Sequence, residues 1–400
     1  MVSHRSTTCN PCGLQVPHRQ EFEHRTERWA TAAAPAGPRA RTIHDRPGYT
    51  SAVPSPRTPA GSAVALVWIA AGIAVALAAG TAALGATPAA AERAVRRATG
   101  RAFGEAVRID AVAPSGAAAE EALRSAFAEI REVERLADPD GAPADGLGAL
   151  NRAAGGDPVP LDPRLAALLE RAASYCTWSQ GAHGPLGGRL HALWSRRARP
   201  PEPLLAKAAA EAGCDGLRLA GPHAQLAEGR RADLHGFAQG TAVDAAVDAL
   251  RAAGVEEGYV EIGMTRRGFG PGPGGAGWPV DLPVFPGLDR PLQRVLLRDE
   301  SLAVASAVHR PLMVGGDRHA PWIDQRTGLP ATGVQGVVAV SELAVDARAV
   351  AAALFVLGNR EGMLRAGVLE PRPSVLWLLG EPPSRPVLTH LAWSKVATER

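Results

Sequence analysis

Aromatic side chains are scarce in this 400-residue chain, where Phe, Trp and Tyr together make up only 4% of the residues. The core must therefore be mainly aliphatic. Charge of one sign is also not concentrated, because the net charge is only +3 and Asp and Glu are interleaved with Arg. No stripe of Lys or Arg with interleaved aromatic residues, which is typical of nucleic-acid-binding proteins, is present. The sequence therefore gives no support to nucleic-acid binding.

Cysteine is scarce too, with four residues in all. Cys9 and Cys12 form a Cys-x-x-Cys motif, but neither a second such pair nor a suitably spaced histidine pair completes a metal site. Cys176 and Cys214 are expected to be small apolar residues of the folded part, and no disulfide scaffold is predicted. A thiol- or metal-linked role of the Cys9–Cys12 segment stays open, and removal of residues 1–61 would test it.

The first 91 residues differ in composition from the rest. Residues 1–61 are rich in Arg, His, Pro, Ser and Thr without sustained periodicity, which predicts a disordered tail. Residues 62–91 are apolar and predict a transmembrane or signal-anchor segment, because no charge falls between Arg57 and Glu92. The Arg-rich tail favours an orientation with the folded domain on the extracytoplasmic (periplasmic) side of the cytoplasmic membrane. A cleaved export signal and a buried Ala-rich helix are the alternatives.

The remainder is predicted to form one folded domain at 95–385, followed by a C-terminal tail at 386–400. Hydrophobic periodicity predicts helices at 119–137, 163–180, 200–213 and 345–358, the last ending at Gly358. Strands are predicted at 107–112, 258–263, 295–299, 301–306, 334–340 and 374–380. Because helices and strands alternate without a strict βαβ repeat, we predict an α+β fold, a mixed α/β domain preceded by a single apolar membrane segment.

A glycine-rich connection at 232–250, ADLHGFAQGTAVDAAVDAL, leads from a strand-like start into an amphipathic helix. Gly236 and Gly240 allow the backbone to approach a neighbouring group closely. The first turn of the helix directs free N–H groups and the positive end of the helix dipole toward the loop, which favours an anion. An ordinary tight turn is the alternative, so other segments must decide.

Further segments follow in a fixed order. A Leu-Asn pair ending at Asn151 comes between the first two helices. The others are WSQGAHGPLGGRLHALW (178–194), DLHGFAQGTAVD (233–244), YVEIGMTRRGFG (259–270), SLAVASAVHR (301–310), WIDQRTGLPA (322–331) and VDARAVAAALFVLG (345–358). Over roughly residues 100–380 their order and spacing resemble the FAD:protein FMN transferase family, also called ApbE.

The resemblance implies a reaction in which Mg²⁺ assists the transfer of FMN from FAD to a Thr or Ser of an acceptor protein, with release of AMP. FAD, Mg²⁺ and an acceptor flavoprotein are therefore the expected cofactors and partners. By position, the resemblance implies catalytic roles for His319 and Asp324 and metal binding by Asp346. It implies cofactor contacts for Asn151, Asp233, Gly236, Gln239, Gly240, Asp244, Ser306, Arg310, Thr327 and Gly328.

Several positions depart from the family's pattern. Val350 stands where the family has a metal-binding Thr, Gln239 where it has Lys, and Met264 in place of the second Gly of Gly-Gly-Asp. The family's His before Ile-Ile-Asp is Pro321 here, and His319 is taken as its substitute. A catalytically degenerate flavin-binding or partner-binding protein of this family is therefore the alternative hypothesis.

Four histidines could suggest a different metal site, but their spacing matches no compact metal motif. They are expected to be mostly surface residues and are His183, His235, His309 and His319.

Overall fold

The computed structural model describes residues 94–196 and 198–399. The predicted tail at 1–61 and the predicted membrane segment at 62–91 lie outside this range. Among the described residues, no helix combines the length and apolarity needed to cross a bilayer. The described α-helices are α1 Gly116–Ala137, α2 Leu147–Arg152, α3 Pro163–Trp178, α4 Gly188–Trp194, α5 Glu202–Glu211, α6 Ala238–Ala252 and α7 Ala344–Gly367.

An antiparallel eight-stranded sheet forms the centre of the domain, with strand order β1-β2-β6-β7-β10-β15-β16-β17. Four small sheets accompany it in the described part of the chain. The strands are β1 Ala94–Ala102, β2 Glu105–Ala113, β3 Val159–Pro160, β4 Leu217–Ala220, β5 His223–Leu226, β6 Glu257–Ile262, β7 Thr265–Phe269, β8 Trp278–Asp281, β9 Arg294–Leu297, β10 Glu300–Ser306, β11 Leu312–Val314, β12 Asp317–His319, β13 Ile323–Asp324, β14 Leu329–Pro330, β15 Val334–Ser341, β16 Ser374–Leu379 and β17 Val387–Leu391. The predicted mixed α/β fold is confirmed.

Side-chain alternation along β10 shows how the sheet is covered on both faces. Ala303 and Ala305 belong to the core formed with α7, whereas Leu302 and Val304 belong to the core formed with β8 and β9. The small alanine side chains let α7 lie close to β10 and β15. Helices α6 and α1 cover the neighbouring strands on the same side. Because Ser341 at the end of β15 pairs with Ser301, α7 begins beside the start of β10.

Helices α6 and α7 touch almost backbone to backbone where they meet. A Cβ atom at Gly240 would lie 2.5 Å from the carbonyl oxygen of Ala344, so a side chain at this position would push the helices apart. The close approach places the start of α7 directly beside the first turns of α6. Gly240, an expected cofactor contact, therefore serves helix packing.

The predicted stop at Gly358 is present as a break in α7, where φ is 68°, and a second helical segment then continues as far as Gly367. Two other predictions require correction. The predicted C-terminal tail contains strand β17, which pairs with β16, so the folded domain extends beyond residue 385. Cys176 and Cys214 form a disulfide with a Cα–Cα distance of 5.8 Å. Their separation of 38 residues carries no local pattern, so only the fold reveals that they meet.

Candidate functional site

A cavity of about 800 Å³ opens between the end of β10, the loop before α6 and the first turns of α7. Its volume lies in the range of sites that bind small molecules and cofactors. The residues that line it are Phe103, Glu105, Arg131, Glu134, Arg135, Ala137, Asp138, Pro139, His191, Asp233, Leu234, His235, Ala238, Gln239, Met264, Val304, Ser306, His309, Arg310, Leu312, Pro321, Trp322 and Arg348. Segments far apart in sequence thus build one wall.

Arg348 is a cation that lines this cavity, and it forms no ion pair with a carboxylate in the described part of the chain. Its residue is only 5% exposed, and its Nε has no hydrogen-bond partner. The guanidinium lies over the ring of Trp322, 5.0 Å from the ring centroid. Burial lowers the pKa of Arg348 to about 10, which still leaves it charged at neutral pH. The cavity therefore contains a buried positive charge that forms no ion pair within the described residues, and on which the carboxylate of Glu105 acts only at longer range.

A histidine–aspartate pair forms another part of the wall. Nδ1 of His191 and Oδ2 of Asp233 are hydrogen-bonded at 2.9 Å, and Oδ1 of Asp233 accepts from the backbone N–H of His235 at 2.8 Å. Burial alone would raise the pKa of Asp233, but His191 holds that pKa well below its usual range. Burial opposes protonation of His191, yet Asp233 raises the pKa of His191 above its usual value. The pair is an oriented imidazole with a permanent acidic partner.

His183 lies behind the wall rather than at the surface, which corrects the expectation for this residue. It is 6% exposed and stacks on Phe237 with the ring centroids 5.0 Å apart. Burial lowers the pKa of His183 to about 3, so the ring is neutral in the folded protein. A Cβ atom at Gly236 would lie 2.1 Å from Nε2 of His183. Gly236 is therefore required by the packing of this ring and does not line the cavity.

Of the predicted cofactor contacts, Asp233, Gln239, Ser306 and Arg310 line the cavity. Gln239 lies buried in the first turn of α6. The hydroxyl of Ser306 accepts from the backbone N–H of Val308 at 3.2 Å. These side chains come from two of the segments that carry the resemblance, 233–244 and 301–310.

Arg310 differs from Arg348 because a carboxylate already neutralises it. Its Nη1 donates to the carbonyl of Phe103 at 3.1 Å and to Glu105 at 3.2 Å. Glu105 also bonds Nε2 of His309 at 3.0 Å. Although burial alone would raise the pKa of Glu105, these two partners keep it below its usual value. Arg310 thus belongs to a charge cluster formed by side chains of the protein itself.

Two other predicted contacts support the site without lining it. The Asn151 amide donates to the carbonyls of Pro139 and Ala232 at 2.9 and 3.0 Å and accepts from the N–H of Ala232 at 2.7 Å, which ties two loops together. Asp244 accepts from the N–H groups that open α7, at 2.9 Å each, and pairs with the buried Arg267. Burial raises the pKa of Asp244 despite these bonds. Both residues hold elements in place.

The predicted catalytic residues lie outside the cavity lining. Asp324 accepts from the backbone N–H of Arg326 at 2.9 Å and forms an ion pair with the same residue. Thr327 accepts from the next strand, and the carbonyl of Gly328 accepts from the indole N–H of Trp194 at 2.8 Å. These three residues form a turn. His319 packs against the ring of Trp194, with the ring centroids 5.9 Å apart.

Asp346, the predicted metal ligand, faces α3 instead of the cavity. Its Oδ1 accepts from Arg171 at 2.6 Å and from the hydroxyl of Tyr175 at 2.9 Å. Val350, one turn further on, is fully buried and offers no oxygen. No group of three or more His, Cys, Asp or Glu side chains in the described ranges could hold a metal ion. Because Asp346 is engaged by Arg171 and Tyr175 and Val350 has no oxygen, these two positions offer no free oxygen ligand to Mg²⁺, which binds through oxygen atoms.

Sequence reasoning missed Arg348, His191 and Trp322. Arg348 carried a usable signal, because an arginine inside the apolar run of α7 is costly to bury without a purpose. His191 lies in a short helix and meets Asp233 across 42 residues. That juxtaposition is visible only in the folded chain.

The fold is shared with solved structures of ApbE proteins. The ApbE protein of Thermotoga maritima superposes with a TM-score of 0.68 at 21% identity, covering 76% of this chain and 98% of that one. The flavinyl transferase ApbE of Pseudomonas stutzeri gives 0.65 at 22% identity, covering 75% and 95%. At these identities the likeness shows that the chain shares the fold of these proteins.

Sequence comparison places the chain within that class. The sequence pattern of the ApbE family matches residues 103–371, more than half of the chain. This chain belongs to the ApbE family. It is 34% identical over 235 residues to the FAD:protein FMN transferase of Treponema pallidum and 28% over 236 residues to that of Rhodobacter capsulatus. The matched regions span 65% and 43% of those relatives.

Proposed function

We propose that this chain is an FAD:protein FMN transferase that moves FMN from FAD to a Thr or Ser hydroxyl of an acceptor protein. The observation that carries the proposal is the cavity, which lies within the family-matched residues and includes the first turn of α6. Helix N-termini favour phosphate groups through free N–H donors and the helix dipole. The names of two relatives state FMN transfer from FAD to a protein, which supports the proposal.

The His191–Asp233 pair supports a specific route for the proton. The acceptor hydroxyl oxygen attacks the phosphorus of the FMN half of FAD, and the bond from that phosphorus to the bridging oxygen breaks, so that AMP leaves. The hydroxyl proton passes to Nε2 of His191, because Nδ1 is held by Asp233. A raised pKa makes this imidazole a stronger base, and general-base assistance of this kind contributes about 10²–10⁴-fold in rate.

Magnesium dependence, which the resemblance implies, has no ligand set among the predicted residues. Asp346 is engaged by Arg171 and Tyr175, and Val350 has no ligand oxygen. No step of the proposed transfer is therefore assigned to a metal ion. The cations of the cavity wall are the groups that meet the substrate's negative charge.

The location proposed for the domain is the extracytoplasmic side of the cytoplasmic membrane, with residues 62–91 as the anchor. The apolar composition of that segment and the Arg-rich residues before it support the orientation. The Cys176–Cys214 disulfide adds an independent argument, because disulfides persist mainly in oxidising compartments. Labelling of an introduced surface cysteine in intact cells by a membrane-impermeant reagent would test this orientation.

A transfer assay tests the proposed reaction. The purified full-length chain is incubated with FAD and an acceptor domain that carries a flavinylatable Thr, and acceptor mass and AMP are followed together. We expect the acceptor to gain the mass of FMN in step with AMP release. His191→Asn should slow transfer by about 10²-fold or more while FAD still binds. A Thr→Val acceptor is the negative control.

The second candidate function is flavin binding without transfer. The observation that favours it is that His319 and Asp324, the positions to which the resemblance gives catalytic roles, do not line the cavity. In the same assay, this function predicts flavin bound to the chain with no change in acceptor mass and no AMP. The two candidates are therefore separated by one experiment.

A further inference from the structure

The wall of the cavity contains one buried arginine, Arg348, and four carboxylates. Each carboxylate is bonded to a group other than Arg348. Asp233 bonds His191, Glu105 bonds His309 and Arg310, Glu134 accepts from the N–H of Phe103, and Asp138 accepts from a backbone N–H. Among the described residues, none of these carboxylates pairs with the guanidinium at position 348. A charge that is 5% exposed and lacks an ion partner is costly, unless something outside the protein neutralises it.

We propose that Arg348 binds the phosphate groups of the ligand in this cavity and supplies there the positive charge that a divalent metal ion would otherwise supply. The identity of that ligand as FAD rests on the proposed function, whereas the anion site rests on the geometry of Arg348 alone.

The stacking of Arg348 on Trp322 prepares the guanidinium for this role. The ring of Trp322 is itself fixed, because its indole N–H donates to the carbonyl of Ser306 at 3.2 Å. The guanidinium carbon lies over this ring, 5.0 Å from its centroid, within cation–π range. Its Nε has no hydrogen-bond partner, and the fork geometry of a guanidinium matches two phosphate oxygens. The arginine is thus pre-positioned before the ligand arrives.

The face of α7 opposite to Arg348 carries Asp346, the expected metal ligand, and its contacts explain why a metal ion is not needed as the positive charge. Residues two positions apart on a helix point about 200° apart, so Asp346 and Arg348 occupy opposite faces. Asp346 faces α3, where Arg171 already neutralises it at 2.6 Å. The face that would carry a metal ligand is therefore closed by a permanent counter-ion. The positive charge toward the cavity is supplied by the next charged residue along the helix.

Calorimetric titration of the full-length chain tests the inference with four probes: FAD, FMN, riboflavin and inorganic pyrophosphate, each in EDTA and in Mg²⁺. We expect FAD and pyrophosphate to bind in EDTA, and Mg²⁺ to change their affinity by less than about threefold. Because a hydrogen bond to a charged group is worth about 1.5–3 kcal/mol, Arg348→Met should weaken FAD and pyrophosphate by about 10–100-fold. Riboflavin, which has no phosphate, should lose less than about twofold, and Arg348→Lys should retain part of the affinity.

Asp346→Asn is the matched control on the same helix, and we expect it to leave FAD affinity unchanged in both buffers. Equal loss of FAD and riboflavin binding in Arg348→Met would overturn the inference. So would FAD binding that requires Mg²⁺ and is lost in Asp346→Asn. If Arg348→Met does not give a cooperative thermal transition, the comparison of EDTA with Mg²⁺ in the wild type still decides. There, loss of pyrophosphate and FAD binding in EDTA refutes a guanidinium site.

These outcomes are separable from those of the transfer assay. Arg348-dependent FAD binding without transfer to the acceptor would refute the transferase and support the anion site. Pyrophosphate binding through Arg348 without FAD binding would do the same. Transfer that proceeds only with Mg²⁺ and is unaffected by Arg348→Met would support the transferase and refute the anion site. Binding of neither FAD nor pyrophosphate by the wild type would refute both.

Discussion

The charged residues on the two faces of α7 differ in their partners. On the side toward α3, Asp346 is bonded to Arg171 and Tyr175, so the protein neutralises that carboxylate itself. On the side toward the cavity, Arg348 contacts the Trp322 ring but no described acidic partner. A charge that the fold neutralises contributes to structure, whereas a buried charge left open is available to a ligand. The difference shifts the functional interest of this helix from Asp346 to Arg348.

Asp244→Ala should have the largest effect, because this carboxylate holds the start of α7 and therefore orients both faces. It accepts from the N–H groups of Ala344 and Val345 and pairs with Arg267, which is 5% exposed. Removing one partner of a buried ion pair costs about 3–5 kcal/mol. We expect that loss in the free energy of unfolding, measured by urea denaturation.

Asp248→Ala is the matched control for this prediction, since Asp248 is exposed on the same helix. It should change stability by less than about 0.5 kcal/mol. If Asp244→Ala were equally mild, Asp244 could not be the anchor of α7, and a direct ligand contact would become the better explanation of this residue.

Protonation of His183, which lies behind the cavity face, should produce the next largest effect. The pKa of His183 is lowered to about 3, chiefly by burial and further by the neighbouring His191, His235 and Arg348. The unfolded chain takes up this proton below about pH 6.5, whereas the folded chain does not until pH is far lower. Stability should therefore fall with decreasing pH, by about 1.4 kcal/mol per unit for this group.

Urea denaturation of the wild type and of His183→Phe between pH 7 and 4.5 checks this expectation. The phenyl ring keeps the stacking on Phe237 and cannot titrate. The variant should show a flatter dependence of stability on pH, while the wild type keeps its slope. Identical slopes for the two proteins would mean that His183 is charged or accessible in the folded state.

The sequence predicted the elements well because they depend on local periodicity. The helix at 163–180 and the strand at 301–306 are found within one or two residues of their predicted bounds. Four of the cofactor contacts that the resemblance implies do line one cavity, namely Asp233, Gln239, Ser306 and Arg310. What it could not supply was the direction in which each charge points. That direction depends on which neighbouring element packs against each helix face, as the contact of Asp346 with α3 shows.

The same limit explains the residues that were placed incorrectly. Gly240 matches a family position, yet its neighbour is the backbone of Ala344 rather than a ligand. Cys176 and Cys214 have no sequence pattern that links them, and only the packing of α3 brings them together. In both cases a contact over a long sequence distance, which no local motif encodes, decides what the residue does.

A double-mutant cycle on Arg171 and Asp346 sharpens the account of the α3 face. The pair is partly accessible, with side-chain exposures of 40% and 27%, so solvent weakens it. We expect Arg171→Met and Asp346→Asn to show a coupling free energy of about 1 kcal/mol in urea denaturation. The coupling should be the same with and without Mg²⁺. A coupling that vanishes when Mg²⁺ is added would show that the ion competes with Arg171 for the carboxylate, and the two faces would then not differ as described.

Asp324→Ala should have the smallest effect, because this residue is not part of α7 and lies outside the cavity lining. It loses a hydrogen bond to the N–H of Arg326 and an ion pair with the same side chain, in a turn that Thr327 and Gly328 also support. We expect a loss of about 0.5–1 kcal/mol in stability and less than a twofold change in the rate of FMN transfer. His191→Asn, measured in parallel, provides the contrast of a residue that lines the cavity. If Asp324→Ala instead abolished transfer while the protein remained folded, the chemistry would have to be carried by the turn, and the cavity around Arg348 would be a binding site only.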